Sequence, residues 1–272
     1  MMRLFIIQHD CGHGSFLKSK TANDIVGSVI GVLTLTPYFH WRRQHSIHHA
    51  TAGNLDRRGV GDVYTMTAQE YLASSKWKRL GYRLFRNPLV MFGLGPFYIF
   101  VLSQRLPTGM PRTYRREWAS VYWTDLAIAA IAIVMGLTIG IKEFLMVQLA
   151  ITLIGSTLGV WLFYVQHQFE GTYWARNDRW DFAQAALKGS SYYKLPRLLQ
   201  WFSGNIGVHH IHHLSPRTPN YLLQKCYDEN PVLHKEPLAF WTSLRCIFLN
   251  LWDEQQQKLV SFRSLRSTPQ AG

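Results

Sequence analysis

The sequence has few cysteines, and none of them forms a recognisable motif. The three, Cys11, Cys226 and Cys246, are far apart and include no CxxC pair. The sequence therefore predicts neither a disulfide framework nor a thiolate metal cluster. It also has no GxGxxG and no Walker loop, which argues against a built-in nucleotide site.

Acidic residues are scarce. Asp and Glu total 16 against 29 Lys and Arg, so the net charge is +13. A basic excess favours an anionic partner, either nucleic acid or a membrane surface. The 272 residues are enough for one large domain or two small ones.

Two long apolar runs decide between these partners. Residues 144–163 contain no charge, and residues 121–141 contain only Asp125. Each is long enough to cross a hydrocarbon core of about 30 Å. Lys142 and Glu143 separate them, which predicts a transmembrane hairpin, and the basic outer flanks place both ends in the cytoplasm. A membrane surface, not nucleic acid, is the expected partner, and buried helices of a soluble protein are the alternative.

Other segments complete the predicted architecture. Gly155 and Gly159 form a GxxxG that lets another helix approach. Residues 25–39 and 88–102 are too short for full spans and are interpreted as interfacial or half-inserted. Residues 170–272 are predicted to form a helical cytoplasmic cap. The fold class is therefore an all-α, multi-pass integral membrane protein, with a transmembrane hairpin and a cytoplasmic cap holding a histidine-rich site.

Histidine is abundant and clustered. The pattern H-x-x-H-H occurs twice, and "HDCGH" adds a pair with i, i+4 spacing. Because residues i, i+3 and i+4 lie near one another on a helix, each cluster is expected to present its imidazoles in one direction. The clustered residues are His9, His13, His45, His48, His49, His209, His212 and His213.

This pattern predicts a metal centre. Neutral imidazole is the commonest metal ligand, and eight imidazoles exceed what one ion needs, so two ions sharing the set are expected. His167, at the cytoplasmic end of the second apolar run, is a ninth candidate. His40 and His234 are isolated, and His210 falls outside the repeated pattern, so these three are interpreted as bystanders.

Residues beside the clusters have less specific signals. Asp10 is a candidate hydrogen-bond partner for a ligating imidazole, since such rings usually donate their other N–H to a carboxylate or carbonyl. Asn205, four residues before His209, could bond a ligand or a metal-bound water, or could cap the helix. Cys11 would point off the His9–His13 face, which favours a packing role.

The spacing excludes several metal chemistries. The chain has no Glu-x-x-His pairs of a carboxylate di-iron bundle and no H-E-x-x-H of a zinc protease. An all-imidazole site beside a membrane hairpin favours a redox metal that activates O2 against a lipid-soluble substrate. A membrane metal-binding or transport protein is the non-enzymatic alternative, but residues 144–163 lack the charges that a transport path usually requires.

Three segments resemble the histidine boxes of membrane fatty acid desaturases. They are "HDCGHGSF", "HSIHHATAGNLDRRGVGD" and "GNIGVHHIHHLSPRTPNY". The resemblance extends from about residue 5 to residue 235. Within this family, the segments are most similar to those of the acyl-lipid Δ12/ω-3 type of bacteria and plastids. "RLPTGMPRTYRREW" and "FYVQHQFEGTYW" resemble the same group.

The resemblance implies a di-iron centre that uses O2 and two electrons to place a cis double bond in an acyl-lipid or acyl-thioester chain. It implies the same nine ligands, and ferredoxin or cytochrome b5 as electron donor, since the sequence has no iron–sulfur, flavin or haem signature. A related di-iron lipid hydroxylase, alkane hydroxylase or carotenoid ketolase or hydroxylase is the alternative. Family members carry two helices before the first box, so residues 1–272 are interpreted as one desaturase domain that is incomplete at its N-terminus.

Overall fold

The computed structural model describes residues 1–266, most of which are helical. The α-helices are α1 Met2–His13, α2 Lys20–Leu33, α3 Tyr38–Thr51, α4 Ala68–Ala73, α5 Lys76–Phe85, α6 Gly95–Phe97, α7 Arg115–Met135, α8 Ile141–His167, α9 Phe182–Gly189, α10 Arg197–Phe202, α11 His209–Leu214, α12 Asn220–Glu229 and α13 Phe240–Ser243. Short π-helices span Val90–Leu94, Tyr98–Leu102 and Gly136–Gly140, and 3-10 turns span Ser103–Arg105, Pro231–Leu233, Leu244–Phe248 and Ser264–Arg266.

Four short strands correct the all-α prediction. β1 (Tyr193–Lys194) pairs in parallel with β2 (Leu238–Ala239), and β3 (Leu251–Asp253) pairs antiparallel with β4 (Lys258–Val260). All four lie in the segment predicted as a helical cap. The paired residues Leu251 with Val260 and Trp252 with Leu259 are all buried, so burial on both faces of the β3–β4 hairpin outweighs helix formation there. Residues 267–272 of the predicted cap lie outside the described residues.

The two long apolar runs lie in α7 and α8. The helices meet through Gly136–Gly140, and Gly140 has a φ of 96°, so the helical path is interrupted two residues before Lys142. Within residues 1–266, Arg115–His167 is the one helical segment long and apolar enough to cross a membrane; only 6% of its most apolar window is buried. Lys76–Phe85 with Val90–Arg105, bent by 59°, meets the same test as a pair.

The GxxxG of α8 faces the start of α1. A Cβ atom at Gly155 would lie 2.8 Å from Sδ of Met1, and one at Gly159 would lie 3.5 Å from Sδ of Met2. The absence of side chains at these two positions therefore lets α1 pack closely on α8. This contact brings the helix of the first histidine cluster beside the helix that ends at His167.

Hydrogen bonds and packing hold α1, α2 and α3 together. The hydroxyl of Tyr38 donates to the carbonyl of Cys11 over 2.7 Å. The Tyr38 ring also covers Gly27 so closely that a Cβ atom there would clash with the ring. Helix α1 ends directly after His13, where Gly14 takes a left-handed φ of 68°. The histidines of α1 and α3 are thereby placed against each other.

The end of α8 is fastened to the segment before α11. The Gln166 side-chain amide donates to the carbonyl of Ile206 over 2.8 Å, and the backbone N–H of Ser191 donates to the Gln166 carbonyl over 2.9 Å. A buried cluster that includes Ile6, Ile211 and Leu223 then packs α1, α11 and α12 together. These contacts bring α1, α3, α8 and α11 to one place.

The two shorter apolar segments leave much of their surface uncovered. Residues 25–39 begin in α2, where Ile25 and Val29 are 60% and 59% exposed along one face. Residues 88–102 form a run of π-helix and short α-helix, with Leu94 and Tyr98 exposed. Exposed apolar faces on segments too short to span are compatible with the interfacial prediction, which stays a prediction.

Candidate metal centre

Four helices carry the nine candidate ligands into one buried region. Helix α1 supplies His9 and His13, and α8 supplies His167 as its last residue. The two H-x-x-H-H motifs lie on α3 and α11. The ring nitrogens fall into two groups, within each of which all ligand atoms lie within 4.8 Å of one another. The first histidine group is His9, His13, His45, His49 and His212, and the second histidine group is His48, His167, His209 and His213.

Each H-x-x-H-H motif is divided between the two groups. On α3, His45 and His49 join the first group while His48 joins the second. On α11 the division is the opposite one: His212 belongs to the first group, while His209 and His213 belong to the second. The expectation that each motif presents three imidazoles in one direction is therefore wrong. Positions i+3 and i+4 differ by about 100° around the helix axis, enough to send adjacent histidines to different groups.

In the first histidine group, ring nitrogens make a chain of close approaches. The Nε2 atom of His45 lies 2.9 Å from Nε2 of His13 and 3.1 Å from Nε2 of His49. The Nε2 atom of His49 also lies 3.0 Å from Nε2 of His212. The ring of His9 closes the group, with its centroid 4.5 Å from that of His212.

The second histidine group repeats this arrangement. The Nε2 atom of His209 lies 3.0 Å from Nε2 of His167 and 3.1 Å from Nε2 of His213. The His48 ring packs edge-on against His167 and His213, with centroids 4.8 and 5.0 Å away. All four residues are buried.

Hydrogen bonds between the rings do not account for these contacts. One imidazole nitrogen offers either one N–H or one lone pair. Yet the Nε2 atoms of His45, His49 and His209 each approach two other Nε2 atoms. Neither ring nitrogen of His48 has a hydrogen-bond partner among the described residues, although both are buried. Converging lone pairs without protein donors indicate a cation site.

The spacing of the nitrogens fits a metal ion. Two imidazole ligands at right angles around an ion, with bonds of about 2.1 Å, have nitrogens about 3.0 Å apart. The Nε2 pairs of both groups lie at 2.9–3.1 Å. Neither group includes a carboxylate or thiolate, and an all-imidazole donor set suits iron, copper or zinc.

Burial keeps the imidazoles in the form that binds metal. Loss of solvation on burial is the main cause that lowers the pKa of seven of them, and the neighbouring imidazoles lower these pKa values further. At neutral pH these rings are therefore uncharged, with a lone pair available for a metal. The seven are His13, His45, His48, His49, His209, His212 and His213.

Asp10 lies where the sequence predicted a hydrogen-bond partner. Its Oδ1 atom is 3.1 Å from Nδ1 of His9, and its Oδ2 atom accepts from the backbone and side-chain N–H groups of Asn220, over 2.6 and 2.7 Å. Asn205 is one step further out, because its side-chain amide donates to the carbonyl of Asn220 and not to an imidazole. It does not cap α11 either, since that helix starts after Val208.

Two contacts of the site had no clear sequence signal. The histidine pattern does not indicate Asn220, which donates to the Asp10 carboxylate, although Asn220 lies within the segment "GNIGVHHIHHLSPRTPNY". The carbonyl of Gly189, 3.3 Å from Nδ1 of His167, is a backbone group that no side-chain pattern reveals. Both come from the chain segments around α9 and α12, which only the fold brings to the histidines.

The residues interpreted as bystanders lie outside both groups. His210 points away from its neighbours on α11, with Nε2 2.9 Å from the carbonyl of Leu233. His234 stacks on Tyr227, with ring centroids 4.4 Å apart, and His40 is buried on α3. Cys11 is fully buried, and burial raises the pKa of its thiol to about 12, in keeping with a packing role.

A small cleft reaches the second histidine group. Its walls include His48 and His167 together with the apolar Val63 and the aromatic rings of Tyr173 and Trp174. Asp62 also lines it, and burial raises the pKa of this carboxyl to about 6. The cleft therefore brings the surface close to the second group, whose four imidazoles are all buried.

A family model described as fatty acid desaturase matches residues 1–243, which contain all nine histidines. The chain belongs to the fatty acid desaturase family. It is 49% identical over 270 residues to a fatty acid desaturase of Bacillus subtilis, an alignment covering 99% of this chain and 76% of the relative. The predicted family and enzyme class, an oxidoreductase, are confirmed.

More distant relatives include acyl-lipid desaturases of Synechocystis. One, named sn-1 acyl-lipid omega-3 desaturase (ferredoxin), is 30% identical over 85% of this chain, which spans 64% of that relative. Another, named sn-1 oleoyl-lipid 12-desaturase, is 28% identical over 81% of this chain, which spans 62% of it. The chain thus spans a little under two thirds of these two desaturases.

Proposed function

We propose that this chain is an O2-dependent di-iron desaturase that introduces a cis double bond into an acyl chain of a membrane lipid, at the Δ12 (ω-6) position. The observation that carries the proposal is the pair of all-imidazole groups at the end of a long, apolar, outward-facing helix. The names of the Synechocystis relatives support acyl lipids as the substrate class, and one of them supports position 12.

Each histidine group would hold one ion, and the reaction favours iron. Zinc has no redox chemistry, whereas removing two hydrogens from an acyl chain is an oxidation. When bound, iron supplies the activation of O2 that this oxidation needs. The overall balance is one CH2–CH2 unit, O2, two electrons and two protons, giving CH=CH and two water molecules.

The protein's own residues position the ions and exclude water. All four imidazoles of the second histidine group are buried, and the cleft reaches two of them, His48 and His167. We propose that the acyl chain approaches the centre at this cleft, because Val63, Tyr173 and Trp174 make part of its wall apolar or aromatic beside the polar Asp62, Gln168 and Thr172. The same walls would keep bulk water from the oxidising centre.

We propose further that α7 and α8 cross the membrane as a hairpin, with the metal centre on the cytoplasmic face. The exposed apolar side chains of Arg115–His167 and the positive φ of Gly140 support a span, a reversal and a second span. The basic residues before α7 support a cytoplasmic flank. Retention of the protein in membranes after alkaline carbonate washing tests this membrane insertion.

An external one-electron carrier would supply the electrons. The name of one Synechocystis relative includes ferredoxin, and the net charge of +13 favours docking of an acidic carrier of the ferredoxin or cytochrome b5 type.

The experiment is expression of the full chain in a host whose lipids are rich in oleate, followed by fatty acid profiling. We expect a new dienoic acid from the wild type and none from His212→Ala. His210→Ala is the matched control, because His210 is on the same helix but bonds Leu233. Metal analysis of the purified protein should find two iron ions per chain.

Three outcomes contradict parts of the proposal. A hydroxy acid in place of the dienoic acid indicates a lipid hydroxylase. Undiminished product from His212→Ala rules out the assignment of that ligand. Zinc in both groups of an active preparation rules out the di-iron centre.

A further inference from the structure

Each histidine group has an aromatic residue one helical turn before one of its members. Trp41 precedes His45 on α3, and Phe163 precedes His167 on α8. The indole of Trp41 lies parallel to the His45 ring, with centroids 4.7 Å apart and planes 14° apart. Phe163 is instead tilted by 58° to the rings of His48 and His167, with centroids 5.1 Å away in both cases. Among the described residues 1–266, a face-to-face stack on such a preceding aromatic residue occurs in the first group and not in the second.

The stacked histidine has no hydrogen bond on its outer nitrogen. The Nδ1 atom of His9 lies near Asp10, and that of His167 near the carbonyl of Gly189. Within residues 1–266, the hydrogen bonds of His45 involve only its Nε2 atom. Metal-binding imidazoles are usually oriented by a hydrogen bond on the other ring nitrogen. His48, His49, His209 and His212 also lack a partner for Nδ1, but within residues 1–266 His45 is the imidazole of the two groups that stacks face to face on an indole, and this flat face restrains its ring.

Trp41 is itself held in place by helix α1. A Cβ atom at Gly12 would come within 3.0 Å of Cζ3 of the indole, so the glycine in "HDCGH" makes room for it. Phe5 packs edge-on from the other side, with ring centroids 5.4 Å apart. The indole therefore has little freedom to rotate, and it can transmit the position of α1 to the ring of His45.

We propose that Trp41 is a positioning residue that orients the His45 imidazole for the ion of the first histidine group. The indole restricts rotation of the His45 ring and keeps its Nε2 atom between His13 and His49. It thereby performs the task that Asp10 performs for His9. This inference rests on the proposed two-metal centre.

The test compares Trp41→Met with Trp41→Phe in the purified full chain. Methionine fills space without a flat ring, whereas phenylalanine keeps a ring that can stack. The probe is Fe2+ alone, and the measurements are metal content, the rate of release into a chelator, and the melting temperature of the metal-free protein. Adding the His48→Ala change to each variant weakens the second group, so that slow release reports on the first.

We expect Trp41→Met to release the ion of the first group at least about tenfold faster, the lower range for loss of a partner that orients a ligand. Trp41→Phe should restore most of the retention, and both variants should have similar melting temperatures without metal. Phe163→Leu is the matched comparison. It should change release little, because His167 keeps its contact with the Gly189 carbonyl.

Wild-type release from Trp41→Met would overturn the inference, as would equally fast release from Trp41→Phe and Trp41→Met. A lower melting temperature of the metal-free Trp41→Met protein, with unchanged release, would assign the residue a packing role and overturn it too. Failure of the proposed function is distinguishable: without a metal centre the wild type would bind no Fe2+, and with a different reaction it would retain Fe2+ but give no dienoic acid.

Discussion

The two histidine groups share α3 and α11, but α1 contributes only to the first and α8 only to the second, and the groups also differ in the number of imidazoles and in exposure. The first has five imidazoles, of which His13 and His45 are partly exposed, and the second has four that are all buried. The first is held by contacts among α1, α2 and α3, whereas the second closes around the end of α8 and faces the cleft. If each group binds one ion as proposed, the first has one imidazole more than the second, so we expect it to tolerate the loss of a ligand better.

Each H-x-x-H-H motif contributes histidines to both groups, so the positions of the two groups depend on the same two helices. Because His48 and His49 are adjacent on α3 but belong to different groups, a shift of this helix moves both sites together. The His49 and His213 rings stack across the boundary, with centroids 4.3 Å apart. A displacement of α3 is therefore expected to disturb both groups, whereas loss of a single imidazole acts first on its own group.

The largest effect is expected from removing one ligand from each group. His48→Ala leaves three imidazoles in the second group, so product should fall to background and one ion per chain should be lost. His13→Ala leaves four in the first group, so this variant should keep more metal, although its activity also falls. For both variants, metal analysis measures the retained ions and fatty acid profiling measures the activity. Equal retention by the two variants would remove the distinction between the groups.

A substitution of Asp10 tests whether the metal affinity of the first group depends on residues outside that group. Asp10→Asn weakens the contact with Nδ1 of His9 and the hydrogen bonds from Asn220. The affinity of the first group should fall about 10- to 100-fold, the usual effect of losing such a partner. Competition with a chelator measures it. If the second group loses metal equally, the contact acts through the whole fold and not through His9.

Lowering the pH should protonate imidazoles of both groups and destabilise the fold. Bound metal should reduce this destabilisation. Burial lowers the pKa of the imidazoles below 6.5 in the folded chain, so the unfolded chain binds more protons as pH falls below that value. The free energy of unfolding of the metal-free protein should therefore decrease below pH 6.5 and level off above it. Thermal melting between pH 5 and 8, with and without Fe2+, measures this; a flat profile would contradict neutral buried imidazoles.

The smallest effect is expected from His210, which belongs to neither group. His210→Gln keeps a donor for the carbonyl of Leu233, so the free energy of unfolding should change by no more than about 1 kcal/mol. Desaturation should stay within about twofold of the wild type. A loss of product comparable to that of His212→Ala would show that both histidines serve the centre.

Several features of the fold and site could be predicted from local sequence. The 20-residue run 144–163 has no charge, and it lies in a helix that faces outward. The spacing of His9 and His13, and the position of His167 at the end of an apolar run, were sufficient to select them as candidates. The strands β1 and β2 could not be foreseen, because two-residue ladders depend on a partner about 45 residues away in the chain.

The sequence by itself determined which residue types could bind metal and on which helices they lie, because helical spacing is a local property of the backbone. Only the tertiary structure decided which imidazoles lie together in one group. His212 faces His49 and not its neighbour His213 because α3 and α11 meet at one particular rotation about their axes. That rotation is set by packing among α1, α8, α11 and α12, and no motif within one helix contains it.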